Sequence, residues 1–160
     1  MRRRDFIKGV FATSAMVVST NLMAEEANKA EEAPEVSGLN DLNYDAAIQA
    51  ITDGKEVKKS DKIKLTVPEI AENGAVVPVK VQVESPMSEE EYVKVIHVLN
   101  TKNGNTRCAD VMLTPMNAKG YFSTRIKLSE TQDVVALVEL SDGTFLNAAK
   151  SVKVTIGGCG

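Results

Sequence analysis

The feature that most constrains the fold is a series of short runs, from Ile63 to Ile156, in which apolar and polar residues alternate. Alternation with a period of two is typical of β-strands that bury one face. Turn sequences such as Asn103–Gly104 and Asp142–Gly143 separate the runs. About seven short strands at this spacing predict an all-β fold, an immunoglobulin-like antiparallel sandwich. The predicted strands are residues 63–67, 75–83, 92–99, 107–113, 121–128, 134–140 and 145–156.

A short helix is predicted before the strands. Asn43 is a favourable N-cap residue, and Gly54 is a suitable stop. An apolar stripe between them predicts that the helix packs on the strands that follow. The residues of this stripe are Tyr44, Ala47, Ile48 and Ile51.

The third and sixth predicted strands are apolar on both faces. In the third, Ile96 and Val98 point away from Val93, Val95 and Leu99. One face is expected to lie in the core. The other either packs on the second sheet or is an exposed patch that a partner covers, and the sequence leaves both alternatives open.

The N-terminal part of the chain is predicted to be a targeting segment and a linker. Residues 1–24 match the twin-arginine export pattern, through Arg3, Arg4, Phe6 and Lys8, so we expect a periplasmic protein. The apolar run in this segment is too short and polar for a membrane span. An uncleaved anchor and a cytosolic protein with a basic N-terminus are the alternatives. An acidic linker is predicted for residues 25–38 and the folded domain for residues 39–156.

The charge of the chain argues against nucleic-acid binding. Its formal net charge is −3, although residues 1–24 are basic. An acidic domain without a basic stripe has little to attract a phosphate backbone.

The C-terminus presents a single thiol. Gly157, Gly158 and Gly160 flank Cys159, and glycine has neither a side chain that could cover the sulfur nor strong backbone preferences. We predict that residues 157–160 form a flexible arm, which can extend about 14 Å beyond the last strand. Such an arm suits a thiol that is presented to other proteins. It does not suit a catalytic site, which needs rigid support.

The other candidate residues, His97 and Cys108, are not expected to form a functional site. His97 is the one histidine, and no second ligand stands at metal spacing, so we expect neither a metal site nor a catalytic site. Cys108 is interpreted as a free thiol in the sheet, although a disulfide with Cys159 remains an alternative. No cofactor is predicted.

The C-terminal sequence Lys-Val-Thr-Ile-Gly-Gly-Cys-Gly, with the twin-arginine pattern and the valine-rich strands, resembles the SoxY family of sulfur carriers. Further similarity lies in residues 68–79, 123–127 and 139–143. The resemblance covers about residues 39–160. The family's arm commonly has a second glycine after the cysteine, which this chain lacks, but the position of Cys159 on the arm is unchanged.

The resemblance implies a carrier of covalently bound sulfur that has no catalytic activity of its own. A haem-containing SoxAX-like enzyme would attach thiosulfate to Cys159, and a SoxB-like hydrolase would release sulfate and leave a persulfide. A SoxCD-like sulfane dehydrogenase, where present, would oxidise the persulfide. The resemblance also implies a heterodimer with a SoxZ-like subunit, which would cover the exposed apolar strand face and be exported with the folded chain.

Two other functions are compatible with the pattern. An immunoglobulin-like binding module could use Cys159 only for an intermolecular disulfide. A sulfurtransferase could use Cys159 as its nucleophile, but it would need a structured anion-binding loop, and Gly-Gly-Cys-Gly does not provide one.

Overall fold

The computed structural model describes residues 41–158. In this part of the chain the strands form two sheets, and α1 (Tyr44–Thr52) is the one α-helix. A single 3-10 turn, Pro115–Asn117, precedes β7. The strands are β1 (Val57–Lys59), β2 (Ile63–Thr66), β3 (Ile70–Ala71), β4 (Val77–Val83), β5 (Val93–Asn100), β6 (Arg107–Met112), β7 (Gly120–Ile126), β8 (Gln132–Leu140) and β9 (Phe145–Val154).

The two sheets confirm the predicted sandwich. The larger sheet has the order β1-β9-β8-β5-β6, with β3 also paired to β9, and the smaller has the order β2-β4-β7. All the pairs are antiparallel except those of β1 and β3 with β9, which are parallel. Each of the seven predicted strands is present. The sequence did not predict β1 and β3, because three and two residues are too few for a visible alternation.

The core between the sheets is built mainly of valine. In β4 the alternate residues Val77, Val79 and Val81 are at most 1 % exposed, while Lys80 and Gln82 face the solvent. Burying one such side chain stabilises the fold by about 1.5–3 kcal/mol. The inner residues of β5 and β8 complete this core from the larger sheet.

The outer face of the larger sheet is covered by the chain's own helix. Four of its residues form a second apolar cluster against the predicted stripe of α1. For these residues the structure shows neither packing on the second sheet nor an exposed patch, the two alternatives that the sequence left open, because the helix of the same chain covers them. The sheet contributes Leu99, Val135, Leu137 and Phe145, and Tyr44, Ile48, Ile51 and Val57 pack on them.

A β-bulge changes the predicted grouping in β5. The register against β8 shifts between Val93 and Val95. Val93 therefore joins Ile96 and Val98 in the core between the sheets, and the predicted grouping of Val93 with Val95 and Leu99 is wrong. Alternation alone could not show the bulge. An extra residue in a strand moves each preceding side chain to the opposite face of the sheet.

The N-cap of α1 gives a test of how much the start of the helix contributes to stability. The side-chain Oδ1 of Asn43 accepts a hydrogen bond from the Ala46 N–H at 2.9 Å. We expect Asn43→Ala to lower the free energy of unfolding by about 1 kcal/mol in urea denaturation, and Asn43→Asp to retain most of the stability. Equal midpoints for the alanine variant and the wild type would show that the cap contributes nothing.

Candidate functional site

The last strand continues into a segment that remains hydrogen-bonded to the domain. Beyond the end of β9 at Val154, the Thr155 N–H donates to the Ala71 carbonyl at 3.1 Å, and its hydroxyl donates to the Glu72 carbonyl at 3.0 Å. The Ile156 carbonyl accepts from the Gly74 N–H at 2.7 Å. The chain is thus held along the loop after β3 for two residues past the strand.

Gly157 and Gly158 lie in a narrow gap between two other segments. The Gly158 N–H donates to the Leu128 carbonyl at 2.9 Å, and the Leu128 N–H donates to the Gly74 carbonyl at 2.7 Å. We call these five residues, Gly74, Leu128, Ser129, Gly157 and Gly158, the glycine clasp. It joins the C-terminal segment to the loop before β4 and to the segment after β7.

The glycine clasp has no room for a side chain. A Cβ on Gly157 would lie far inside contact distance of the Ser129 carbonyl oxygen. A Cβ on Gly158 would lie 2.5 Å from the backbone nitrogen of Ala75. Both distances are shorter than real Cβ contacts, so backbone would have to move if either residue were not glycine.

The structure therefore places Gly157 and Gly158 differently from the prediction. The predicted arm leaves the domain at Gly157, whereas hydrogen bonding to the domain continues through Gly158. Cys159 and Gly160 lie outside the described residues, as do Arg3, Arg4, Phe6, Lys8 and the predicted linker. Their roles stay predictions. Gly74 was not singled out from the sequence, because nothing local marks a glycine that contacts the other end of the chain.

Cys108 lies at the opening between the edges of β6 and β7. It lines a cavity of about 350 Å³ with Asn100, Asn105, Arg125 and Lys127. Its Sγ accepts a hydrogen bond from the Asn100 side-chain nitrogen at 3.1 Å. Burial raises the pKa of the thiol, and the hydrogen bond from Asn100 only partly opposes this. Cys108 is therefore a weak nucleophile at neutral pH.

A network of amide side chains links this cavity to the glycine clasp. The Asn103 Oδ1 accepts hydrogen bonds from the backbone N–H and the hydroxyl of Ser129 at 3.0 and 2.9 Å. It also accepts one from the Gln132 side chain at 2.6 Å. The Asn103 N–H donates in turn to the Asn100 Oδ1 at 3.0 Å. The turn between β5 and β6 thereby fixes Ser129, against which Gly157 packs.

The His97 side chain is hydrogen-bonded to an ion pair between Arg107 and Asp110 on the sheet. His97 is 7 % exposed, and its Nδ1 lies 2.6 Å from a carboxylate oxygen of Asp110. The other oxygen of Asp110 accepts a hydrogen bond from the Arg107 guanidinium. Within residues 41–158, no group of three or more His, Cys, Asp or Glu side chains could hold a metal ion. No helix in this range is long and apolar enough to cross a membrane.

The environment of Cys108 predicts slow alkylation. Because its pKa is raised, less thiolate is present at any given pH near 8. We expect iodoacetamide to modify Cys108 more slowly than a cysteine in an unstructured peptide, with a pH profile displaced upward, and urea to remove the difference. The rate is read by mass spectrometry of tryptic peptide 108–119. Equal rates with and without urea would contradict this description.

Comparisons with known proteins identify the family. The family model "Sulfur oxidation protein SoxY" matches residues 48–159, which include Cys159. The chain belongs to the SoxY family. The structure of the sulfur carrier protein SoxY from Chlorobium limicola f. thiosulfatophilum is similar, with 32 % sequence identity and a TM-score of 0.60. The alignment covers 70 % of this chain and 96 % of that chain. No curated protein matches the chain in sequence.

Superoxide reductases share the fold of this SoxY-family chain. The neelaredoxin of Ignicoccus hospitalis is 17 % identical, with a TM-score of 0.55 over 61 % of this chain and 94 % of that one. The superoxide reductase of Nanoarchaeum equitans is 10 % identical, with a TM-score of 0.51 over 60 % and 99 %. At this level of identity the similarity is one of fold alone.

Proposed function

We propose that this SoxY-family chain carries sulfur covalently on Cys159 during the oxidation of thiosulfate to sulfate. The observation that carries the proposal is the family match, which extends through Cys159 at the end of a domain similar to a SoxY sulfur carrier. A β-sandwich fold alone is compatible with many functions. A cysteine between glycines beyond the last strand is the feature that suits a cargo site.

The chemistry on Cys159 would take two steps. In the first, the thiol and thiosulfate form a sulfur–sulfur bond, and one proton and two electrons leave; a SoxAX-like haem enzyme would accept the electrons. In the second, water cleaves the bond to the sulfonate group, which leaves as sulfate with two protons, while a persulfide anion remains on Cys159. A SoxB-like hydrolase would catalyse this step, and a SoxCD-like enzyme would oxidise the persulfide.

Activation of the thiol is assigned to the partner enzymes. The nearest contacts of Gly157 and Gly158 with the domain are backbone atoms of Gly74, Ala75, Leu128 and Ser129. None of these is a base or a cation that would lower the pKa of a thiol. A carrier of this kind presents its sulfur to several active sites and leaves the catalytic groups to them.

Cys108 is not proposed as a second attachment point. Its sulfur is largely buried, and its raised pKa keeps it protonated. The Asn100 side chain also occupies one side of the sulfur. A reactive redox cysteine has the opposite properties, exposure and a lowered pKa.

The remaining parts of the proposal concern location and partners. Export by the twin-arginine route through residues 1–24 would place the carrier in the periplasm. A SoxZ-like subunit would form the heterodimer and would bind at a surface other than the helix-covered face of the larger sheet. The alternative is a binding module that uses Cys159 only for an intermolecular disulfide.

The intact mass of the protein distinguishes these two functions. Protein from the periplasm of cells supplied with thiosulfate is measured before and after reductant, beside Cys159→Ser. We expect a reductant-sensitive gain of one or more sulfur atoms or of a thiosulfate unit, absent in Cys159→Ser. An unmodified monomer, or only a disulfide-linked dimer, would overturn the carrier proposal and favour the binding module.

A further inference from the structure

The glycine clasp joins three parts of the chain that are far apart in sequence. Gly74 is at its centre: its N–H donates to the Ile156 carbonyl and its carbonyl accepts from the Leu128 N–H, each at 2.7 Å. The Leu128 carbonyl then accepts from the Gly158 N–H at 2.9 Å. Gly74 is thus hydrogen-bonded directly to Ile156, just beyond β9, and is linked through Leu128 to Gly158, the residue before Cys159.

The contacts of Gly74 explain why this position is glycine. A Cβ built on Gly74 would lie 2.7 Å from the Gly158 nitrogen and 2.9 Å from a methyl group of Val154, and closer still to the Leu128 carbonyl oxygen. Two of these three neighbours are backbone atoms, which cannot turn aside as a flexible side chain does. Even one methyl group would therefore separate the C-terminal segment from Leu128.

We propose that Gly74 is a positioning residue for the carrier thiol, because it holds Gly158 against the domain and so sets the point from which Cys159 projects. This inference rests on the proposed function. Consecutive Cα atoms are about 3.8 Å apart, so a closed clasp keeps the Cα of Cys159 within one residue of a fixed backbone position. An open clasp frees residues 157–160 and allows a reach of about 14 Å.

The closed clasp gives the carrier a short reach by default. A partner with a shallow site can meet a thiol that projects from the position of Gly158, which packs against Ala75. A partner with a deep site has to bind the open form. Its apparent affinity for the carrier is therefore its affinity for the open form multiplied by the fraction of carriers that are open.

A nitroxide spin label on Cys159 measures the clasp directly. In a Cys108→Ser background, the label reports only the C-terminus. We expect a motionally restricted spectrum for the otherwise unchanged chain and a predominantly fast spectrum for Gly74→Ala. In hydrogen exchange, protection of the Gly158 amide should fall about tenfold or more in Gly74→Ala. Gly158→Ala, which opens the same clasp from the other side, should behave alike.

Two matched glycine variants separate positioning from general destabilisation. Gly104→Ala adds the same methyl group in open space, since nothing lies within 4 Å of its Cβ position. Gly120→Ala adds it at the opposite end of β7, 2.9 Å from a methyl group of Val93, and perturbs the core away from the clasp. Both should keep the restricted spectrum. The proposal would be overturned by a fast spectrum without any substitution at glycine, by no change in Gly74→Ala, or by the same change in Gly120→Ala.

The spin-label result and the sulfur adduct are independent measurements. A clasp that opens in Gly74→Ala while no adduct is ever found would reject the carrier function but keep the structural role of Gly74. An adduct on Cys159 with a label that is already mobile would keep the carrier function and reject the positioning role.

Discussion

Replacing Cys159 with serine is expected to reduce thiosulfate-dependent sulfate production to background in a mixture that contains all the partner enzymes. A serine hydroxyl is not ionised at neutral pH and cannot form the sulfur–sulfur bond on which both steps depend. The fold should be unaffected, because the substitution lies beyond β9 and beyond the clasp. Sulfate release is the measurement, and coincident thermal melts of the two proteins establish that the variant is folded.

Cys108→Ser is the matched control for this loss. It removes the other thiol of the chain, which lies in the cavity between β6 and β7 and has a raised pKa. The variant should release sulfate at nearly the wild-type rate. If Cys108→Ser abolished sulfate release and Cys159→Ser did not, the assignment of the carrier thiol would be wrong.

Leu137→Ala is expected to lower the free energy of unfolding of the isolated chain by about 2–5 kcal/mol. Leu137 lies in β8, is 0 % exposed, and belongs to the apolar cluster beneath α1. Truncation removes its buried methyl groups and leaves a cavity that the helix and the sheet cannot fully close. The change is measured by urea denaturation, with the slope of the transition checked against that of the wild type.

The control for Leu137→Ala is Met116→Ala. Met116 is 95 % exposed in the 3-10 turn before β7, and its truncation should change stability by no more than about 0.5 kcal/mol. A loss below about 1 kcal/mol for Leu137→Ala would contradict the helix-covered face. It would favour a sheet that a partner subunit covers, particularly if mixing with the partner restored sensitivity to the substitution.

Much of the fold could be predicted because its signals are local. The alternating valines of β4 and the cap and apolar stripe of α1 are patterns within a few residues. The surface on which α1 packs could not be predicted from local patterns. Leu99 and Leu137 have the same sequence pattern whether a helix of this chain or another protein covers them. Nor could the pattern show the bulge before Val95 or the short parallel strands.

For the candidate site, too, local sequence patterns show only part of the arrangement. The sequence predicts Cys159 as the carrier thiol, because it lies among glycines within the stretch that the family model matches. It does not distinguish glycines that are needed for freedom from glycines that are needed for close approach. Gly157 and Gly158 were interpreted as the first kind, and the structure packs them against Ser129 and Ala75 as the second. Only the folded chain brings Gly74 to them.

The most direct test of the carrier account is to locate the sulfur by peptide mapping. Trypsin cleavage after Lys153 gives peptide 154–160 with Cys159, and cleavage after Arg107 and Lys119 gives peptide 108–119 with Cys108. In carrier isolated from thiosulfate-fed cells and digested without reductant, the account predicts a sulfur or thiosulfate adduct on peptide 154–160 and none on peptide 108–119. An adduct confined to peptide 108–119, or none on either peptide, would contradict it.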